Sequence, residues 1–266
     1  MRSLNVSILA VALLASIAWA DTTWVAENIE GGVWNLEGSP YIISQNTIFS
    51  TGEVLTIDPG VQVLFAPFIP LVVQSSTIIA NGTEEDSIYF YPLDPDQGWG
   101  NIMVVGFGAH SEFAFCHFIY GGFGYFDNTG ALTISYDDNL IIHHCTFESC
   151  FDGLRPVSVQ RGIIKYCFFK NIGFRAIQTV GAVEISNCVF LSDGEWADTA
   201  VDIPGYLRNC VFINSIAAFG TTGIIYNSIF SHARIISGSI RPGIPNNCDV
   251  NHNIFFGFDD ISAKYS

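Results

Sequence analysis

Apolar and polar positions alternate in short bursts along the second half of this chain, and the bursts repeat. An apolar residue, two variable residues, Cys, a variable residue and Phe recur as Phe113…Cys116-His117-Phe118, Ile142…Cys145-Thr146-Phe147, Ile164…Cys167-Phe168-Phe169, Ile185…Cys188-Val189-Phe190 and Leu207…Cys210-Val211-Phe212. Two further copies keep the frame without the Cys, Ile225…Ser228-Ile229-Phe230 and Val250…Asn253-Ile254-Phe255. Successive ladder positions lie 29, 22, 21, 22, 18 and 25 residues apart. Residues i and i+2 of a strand point to one face. Each Cys therefore faces inward together with its Phe, and the residue between them (His117, Thr146, Phe168, Val189, Val211) faces out. The expected inward ladder is Cys116, Cys145, Cys167, Cys188 and Cys210 with Phe118, Phe147, Phe169, Phe190, Phe212, Phe230 and Phe255.

The period selects the architecture. Helical repeats run at about 33–47 residues, and a leucine-rich repeat needs Leu and Asn/Cys at set offsets that are missing here. A repeat of about 22 residues fits one turn of a parallel β-helix, three short strands and three bends. In the later copies the residue before the ladder position is His144, Tyr166, Asn187, Asn209, Asn227 and His252 in turn. Asn and His are enriched in left-handed backbone, so this column is read as a bend whose Asn side chains hydrogen-bond from coil to coil. A small-plus-apolar column, Gly153-Leu154, Ala176-Ile177, Ala200-Val201 and Ala218-Phe219, starts the first strand of each coil. In the first half, Tyr41-Ile42-Ile43, Leu55 to Phe65, Leu71-Val72-Val73 and Ile88-Tyr89-Phe90 are β-rich runs set off by turn residues such as Gly38-Ser39-Pro40 and Asn81-Gly82. Pro92 to Gly98, Gly121 to Gly130, Asp193 to Asp198 and Ser237 to Asn247 are the expected loops.

Four motifs occur in order: Gly38-Ser39-Pro40-Tyr41-Ile42, Leu55-Thr56-Ile57-Asp58-Pro59-Gly60-Val61, Ala80-Asn81-Gly82-Thr83 and Trp99-Gly100-Asn101-Ile102. The series resembles the N-terminal coils of secreted bacterial proteins of the pectin-lyase-like superfamily, from about Gly32 to Phe255. The resemblance implies an all-β, right-handed parallel β-helix, a solenoid of about ten or eleven coils. Family members often carry a C-terminal secretion or anchoring domain. This chain stops soon after the last recognisable coil, the pattern of a C-terminally incomplete solenoid or of one with a minimal cap.

Residues 1–20, MRSLNVSILAVALLASIAWA, place Arg2 before an apolar run and end in Ala18-Trp19-Ala20. That is the pattern of a cleaved secretory signal peptide. It leaves residues 21–266 as one secreted, extracellular or cell-surface β-helix domain with no membrane span. Only 13% of the residues are charged, against about 25% in an average chain. The 49% hydrophobic content excludes disorder. Ten Lys+Arg against 25 Asp+Glu give a net charge of −15 and no basic face, which excludes nucleic acid as a partner.

Seven cysteines in a secreted chain raise the question of disulfides. Five hold one repeat position, stacked about 4.8 Å apart with parallel Cβ vectors that suit bridging poorly. They are read as free, buried thiols; Cys150 and Cys248 lie off the ladder. His143 and His144 adjoin Cys145, but no Cys-x-x-Cys occurs and consecutive strand residues point to opposite faces, so no metal site is expected.

The superfamily resemblance brings catalysis into question, since it includes lyases and hydrolases of acidic polysaccharides. A lyase of this type needs carboxylates holding Ca²⁺ and an Arg or Lys base on adjacent coils. The candidate acids are Asp137, Asp138, Asp152, Asp193, Glu195, Asp198 and Asp202, and the candidate bases are Arg155, Arg161, Lys165 and Arg175. Asp152 and Arg155 form the nearest local acid–base group. Asp137 and Asp202 are three coils apart, about 14 Å, too far to share an ion. Asp137-Asp138 supplies the paired acids of a hydrolase, without the Gly-His and Arg-x-Lys that would accompany them. Trp99, Trp196, Tyr136, Tyr166 and Tyr226 are possible stacking platforms for a neutral glycan. The expected function is a non-catalytic solenoid that presents an elongated surface to an extracellular glycan or surface protein. The alternative is a polysaccharide lyase or glycoside hydrolase, and Ca²⁺ is a cofactor only under that alternative.

Overall fold

The computed structural model describes residues 22–29, 31–50, 52–123, 130–193, 199–202, 206–214, 216–219, 224–232, 234–237, 249–251 and 254–256. The proposed signal segment, Cys248, His252, Glu195, Trp196 and Asp198 lie outside them. The described chain is all-β, and its strands pair in parallel. One isolated antiparallel bridge joins Pro67 to Trp99.

Three strand ladders emerge from the pairings. The first, of eleven strands, runs from Thr23–Trp24 through Tyr41–Ile43, Gln62–Phe65, Ile88–Pro92, Cys116–Ile119, Thr146–Glu148, Phe168–Lys170, Val189–Leu191, Val211–Ile213 and Ile229–Ser231 to Ile254–Phe256. The second and third belong to one strongly curled sheet. The second passes through Leu71–Gln74, Ile102–Ala109, Leu132–Asp137 and Arg175–Gln178. The third passes through Thr77–Asn81, Glu112–Ala114, Leu140–His143 and Tyr206–Arg208. Asp152–Lys165 turns the corner between them and pairs in both. The chain visits the three ladders in turn and starts again one coil further on, which makes a parallel, solenoid-like stack.

The bends explain how so short a period closes. At the corner before the first ladder, Phe115, His144, Tyr166, Asn187, Asn209 and Asn227 all have positive φ, between 49° and 55°. Here Asn227 Nδ2 donates to Asn209 Oδ1 at 2.7 Å, a link from coil to coil. A second left-handed column follows the first ladder at Tyr120, Ser149, Asn171, Asn214 and His232, with φ from 51° to 57°. The sequence did not announce it, because its side chains share no chemistry. The small-residue column has a steric reason: a Cβ at Gly153 would stand 2.5 Å from the Ala176 carbonyl oxygen of the next coil.

The inward phenylalanines stack ring on ring. Phe90, Phe118, Phe147, Phe169, Phe190, Phe212 and Phe230 follow one another at centroid distances of 4.9, 4.6, 4.9, 5.0, 4.7 and 4.7 Å, with interplanar angles of 15° or less. Phe255 is in register with Phe230. Phe90 extends the column past the Cys-x-Phe repeats; Ile88 occupies the Cys position there and pairs with Cys116. All seven rings are essentially excluded from solvent.

Beside the rings run the thiols. Cys116, Cys145, Cys167, Cys188 and Cys210 are buried and free, as is Cys150. Each of the five ladder thiols donates at 3.3 Å to the carbonyl two residues earlier, which lies just ahead of the left-handed bend. Ser228 fills the next ladder position and its hydroxyl makes the same bond to Tyr226 at 3.2 Å. The thiol thus serves as a compact apolar group with one weak donor. Burial pushes Cys145, Cys167 and Cys210 well up, and Cys150 up to about 12. Thiolate is the reactive form, so burial holds these four inert. Hydrogen bonds with Cys167 and Cys210 pull Cys188 the other way, and it and Cys116 are protected by their exclusion from solvent. Titration of the native protein with a thiol reagent is expected to leave all six unmodified, and denaturant without reductant to expose them together. Fewer thiols in the unfolded chain would mean disulfides and would overturn the assignment.

Candidate functional site

The candidate acids take part in the fold's own polar contacts. Asp137 is fully buried; its Oδ2 accepts from the Ser111 backbone N–H at 2.9 Å and its Oδ1 from that of Asn139 at 2.8 Å. Burial pushes its carboxyl up against the pull of these two bonds. Its sequence neighbour Asp138 turns outward, where Oδ1 accepts from Gln160 Nε2 at 2.8 Å. The two carboxylates therefore occupy opposite faces of the strand end.

Asp152 meets a base from the following coil. Arg175 Nη2 lies 3.2 Å from Asp152 Oδ2 and Nε lies 3.4 Å from Oδ1, a two-pronged contact. The side chains are only 7% and 13% exposed. Strand register explains the encounter, because Asp152 and Arg175 are direct partners across adjacent coils. Arg175 also lies 4.3 Å above the Phe174 ring. Burial pushes the Asp152 carboxyl up, and the Arg175 bond and charge oppose that shift. Arg155 stands near, with burial first and the Arg175 charge second pulling its guanidinium down. The local acid–base group read from sequence thus gains a third member, Arg175, which is the one that grips the acid.

The other candidates are dispersed. The Asp193 backbone N–H donates to Asn171 Oδ1 at 3.0 Å. Lys165 pairs in register with His143 and Ser186, Asp202 with Gln178, and Arg161 is exposed. Among the described residues, no three His, Cys, Asp or Glu side chains come together as metal ligands. His143 and His144 nevertheless converge, with their Nδ1 atoms 3.0 Å apart. The expectation that they diverge fails because His144 takes φ 54° at the bend.

Aromatic platforms follow a different pattern from the one expected. Trp99 is fully buried, stacks 4.3 Å from Phe65, and donates through Nε1 to the Ile119 carbonyl at 2.7 Å. It belongs to the core and offers no platform. Tyr136, Tyr166 and Tyr226 are exposed. Tyr136 stacks with Phe107, which is 85% exposed. At the corner after the first ladder, Phe123, Phe151 and Phe174 follow one another along the coils at 5.7 and 6.2 Å. No helix among the described residues is long and apolar enough to cross a membrane. No family model, curated protein or solved structure matches the chain.

Proposed function

We propose that the chain is a secreted or cell-surface right-handed parallel β-helix of the pectin-lyase-like kind that presents an elongated surface to an extracellular polymer, without catalysing a reaction. The leader pattern of residues 1–20 supports export. Right-handed crossovers between parallel strands are the rule, which supports the handedness. The observation that carries the reading is the alignment of exposed rings along the stacking direction, Phe151 and Phe174 at one corner and Tyr166 at another. Aligned rings suit a linear partner, whereas Asp137 and Asp152 are bound into the fold.

A polysaccharide lyase or hydrolase is the second reading, and the lowered guanidinium of Arg155 beside Asp152 favours it. Incubation of the protein with acidic and neutral polysaccharides, with and without Ca²⁺, separates the two. No release of unsaturated or reducing ends is expected. Release that Arg155→Ala abolishes would establish the enzyme.

A further inference from the structure

We propose that the corner built by Phe115, His144 and Tyr166, flanked by Tyr89 and His117, binds a neutral polysaccharide lying along the stack of coils; this rests on the polymer-binding reading above and names its ligand and its site. The rings form a continuous line. Phe115 and His144 stack at 4.7 Å and 8°, and His144 and Tyr166 at 5.0 Å and 20°. Beside them, on the outward side of the first ladder, Tyr89 and His117 stack at 4.7 Å and 8°. Tyr166 is 51% exposed and Tyr89 37%.

Backbone conformation sets these rings apart from ordinary surface aromatics. Phe115, His144 and Tyr166 stand at φ 49°, 54° and 55°. A bulky side chain there is an outlier, and such strain gathers where function holds it in place. Later coils put Asn187, Asn209 and Asn227 at the same corner with the same φ. Asn suits that conformation, so closing the coil requires no ring. Three successive coils carry rings nonetheless, and they face solvent in a line.

The charge around the line selects the ligand. The chain carries a net −15, which repels anionic polymers. Near the corner the charged groups are of both signs: Glu112 lies 3.8 Å from His143 Nε2, and Lys165 immediately precedes Tyr166. Burial lowers the imidazoles of His117 and His143, so near neutral pH both are neutral, and His117 offers one donor and one acceptor. A sugar ring has a flat C–H face, which an aromatic face attracts, and hydroxyl edges, which neutral imidazoles and the Tyr hydroxyls can bond. A neutral glycan meets both demands.

Substitution by the residue that later coils use gives a test in which folding and binding part company. In affinity electrophoresis through gels holding β-glucan, xylan or galactomannan, the wild-type protein is expected to be retarded by at least one of them, and alginate is expected to have no effect. Phe115→Asn/His144→Asn/Tyr166→Asn is expected to raise the apparent Kd at least about tenfold, while Tm holds or rises. Should the triple variant misfold, the folded Tyr166→Asn single variant decides by the same readout. Retardation unchanged in the folded variant overturns the site and leaves binding to another face. A wild-type protein that no neutral polymer retards overturns the ligand class. The broader non-catalytic reading fails on a different result, product release in the activity screen.

Discussion

Phe169→Ala is expected to destabilise the folded chain by about 4 kcal/mol, more than any outward substitution on the same strand. Phe169 lies in the middle of the ring column, 4.9 Å from Phe147 and 5.0 Å from Phe190. Truncation removes one of the largest fully buried side chains. It also leaves two flanking rings each with one uncovered face. Large aromatic truncations in cores cost about 3–5 kcal/mol, and the lost ring pairs add to the transfer loss. Collapse of the gap is resisted because the coils on either side are held in register, Phe147 with Phe169 and Phe169 with Phe190. The adjacent Phe168 is only partly buried and faces outward, so Phe168→Ala serves as the control, with an expected loss below about 1 kcal/mol. Urea unfolding of the two variants provides the comparison, and equal losses would sink the column as the main source of cohesion.

Arg175→Ala is expected to cost about 3 kcal/mol near neutral pH, because it strands a buried carboxylate. Asp152 would keep its place among packed strands while losing both of its Arg175 bonds. The pH dependence identifies the cause. Burial already raises the Asp152 carboxyl, and Arg175 is the chief group opposing that rise. Without Arg175 the folded-state value moves further above the unfolded one, so the folded chain binds the proton more tightly. The native state is then favoured at acid pH and loses stability as pH climbs through the folded value. The variant's deficit relative to wild type should therefore be small at a pH near about 4 and widen toward about 7. Thermal melts across that range measure it. A deficit independent of pH would mean that Arg175 acts through its packing on Phe174 instead of through its charge.

Much of the fold could be read from residue spacing because the solenoid turns a spatial contact into a constant offset. Cys and Phe two apart face one way, and one period later the next pair lies against them. The same arithmetic would have found the Asp152–Arg175 contact, since the two are one coil apart and direct register partners. Phe90 escaped because Ile88 replaces the Cys that marks the frame. The second bend column escaped because Tyr120, Ser149, Asn171, Asn214 and His232 share a backbone conformation and little else. Trp99 looked like a surface platform because nothing local reveals that its ring folds onto Phe65. The aromatic corner was half visible. His144 and Tyr166 were legible as bend residues, but that the bend lines up their rings with Phe115 follows only from the stacking of coils.

The recurrence of one bend at every coil makes the gene's length negotiable. Asn187 and Asn209 share φ near 55° and each precedes a ladder cysteine. An in-frame deletion of residues 188–209 would join one equivalent corner to the next. Phe169 would then face Phe212, a neighbour of the same size in the same register. Because each coil touches only its immediate neighbours, unequal crossing-over between such repeats can shorten or lengthen the rod without inventing a new interface.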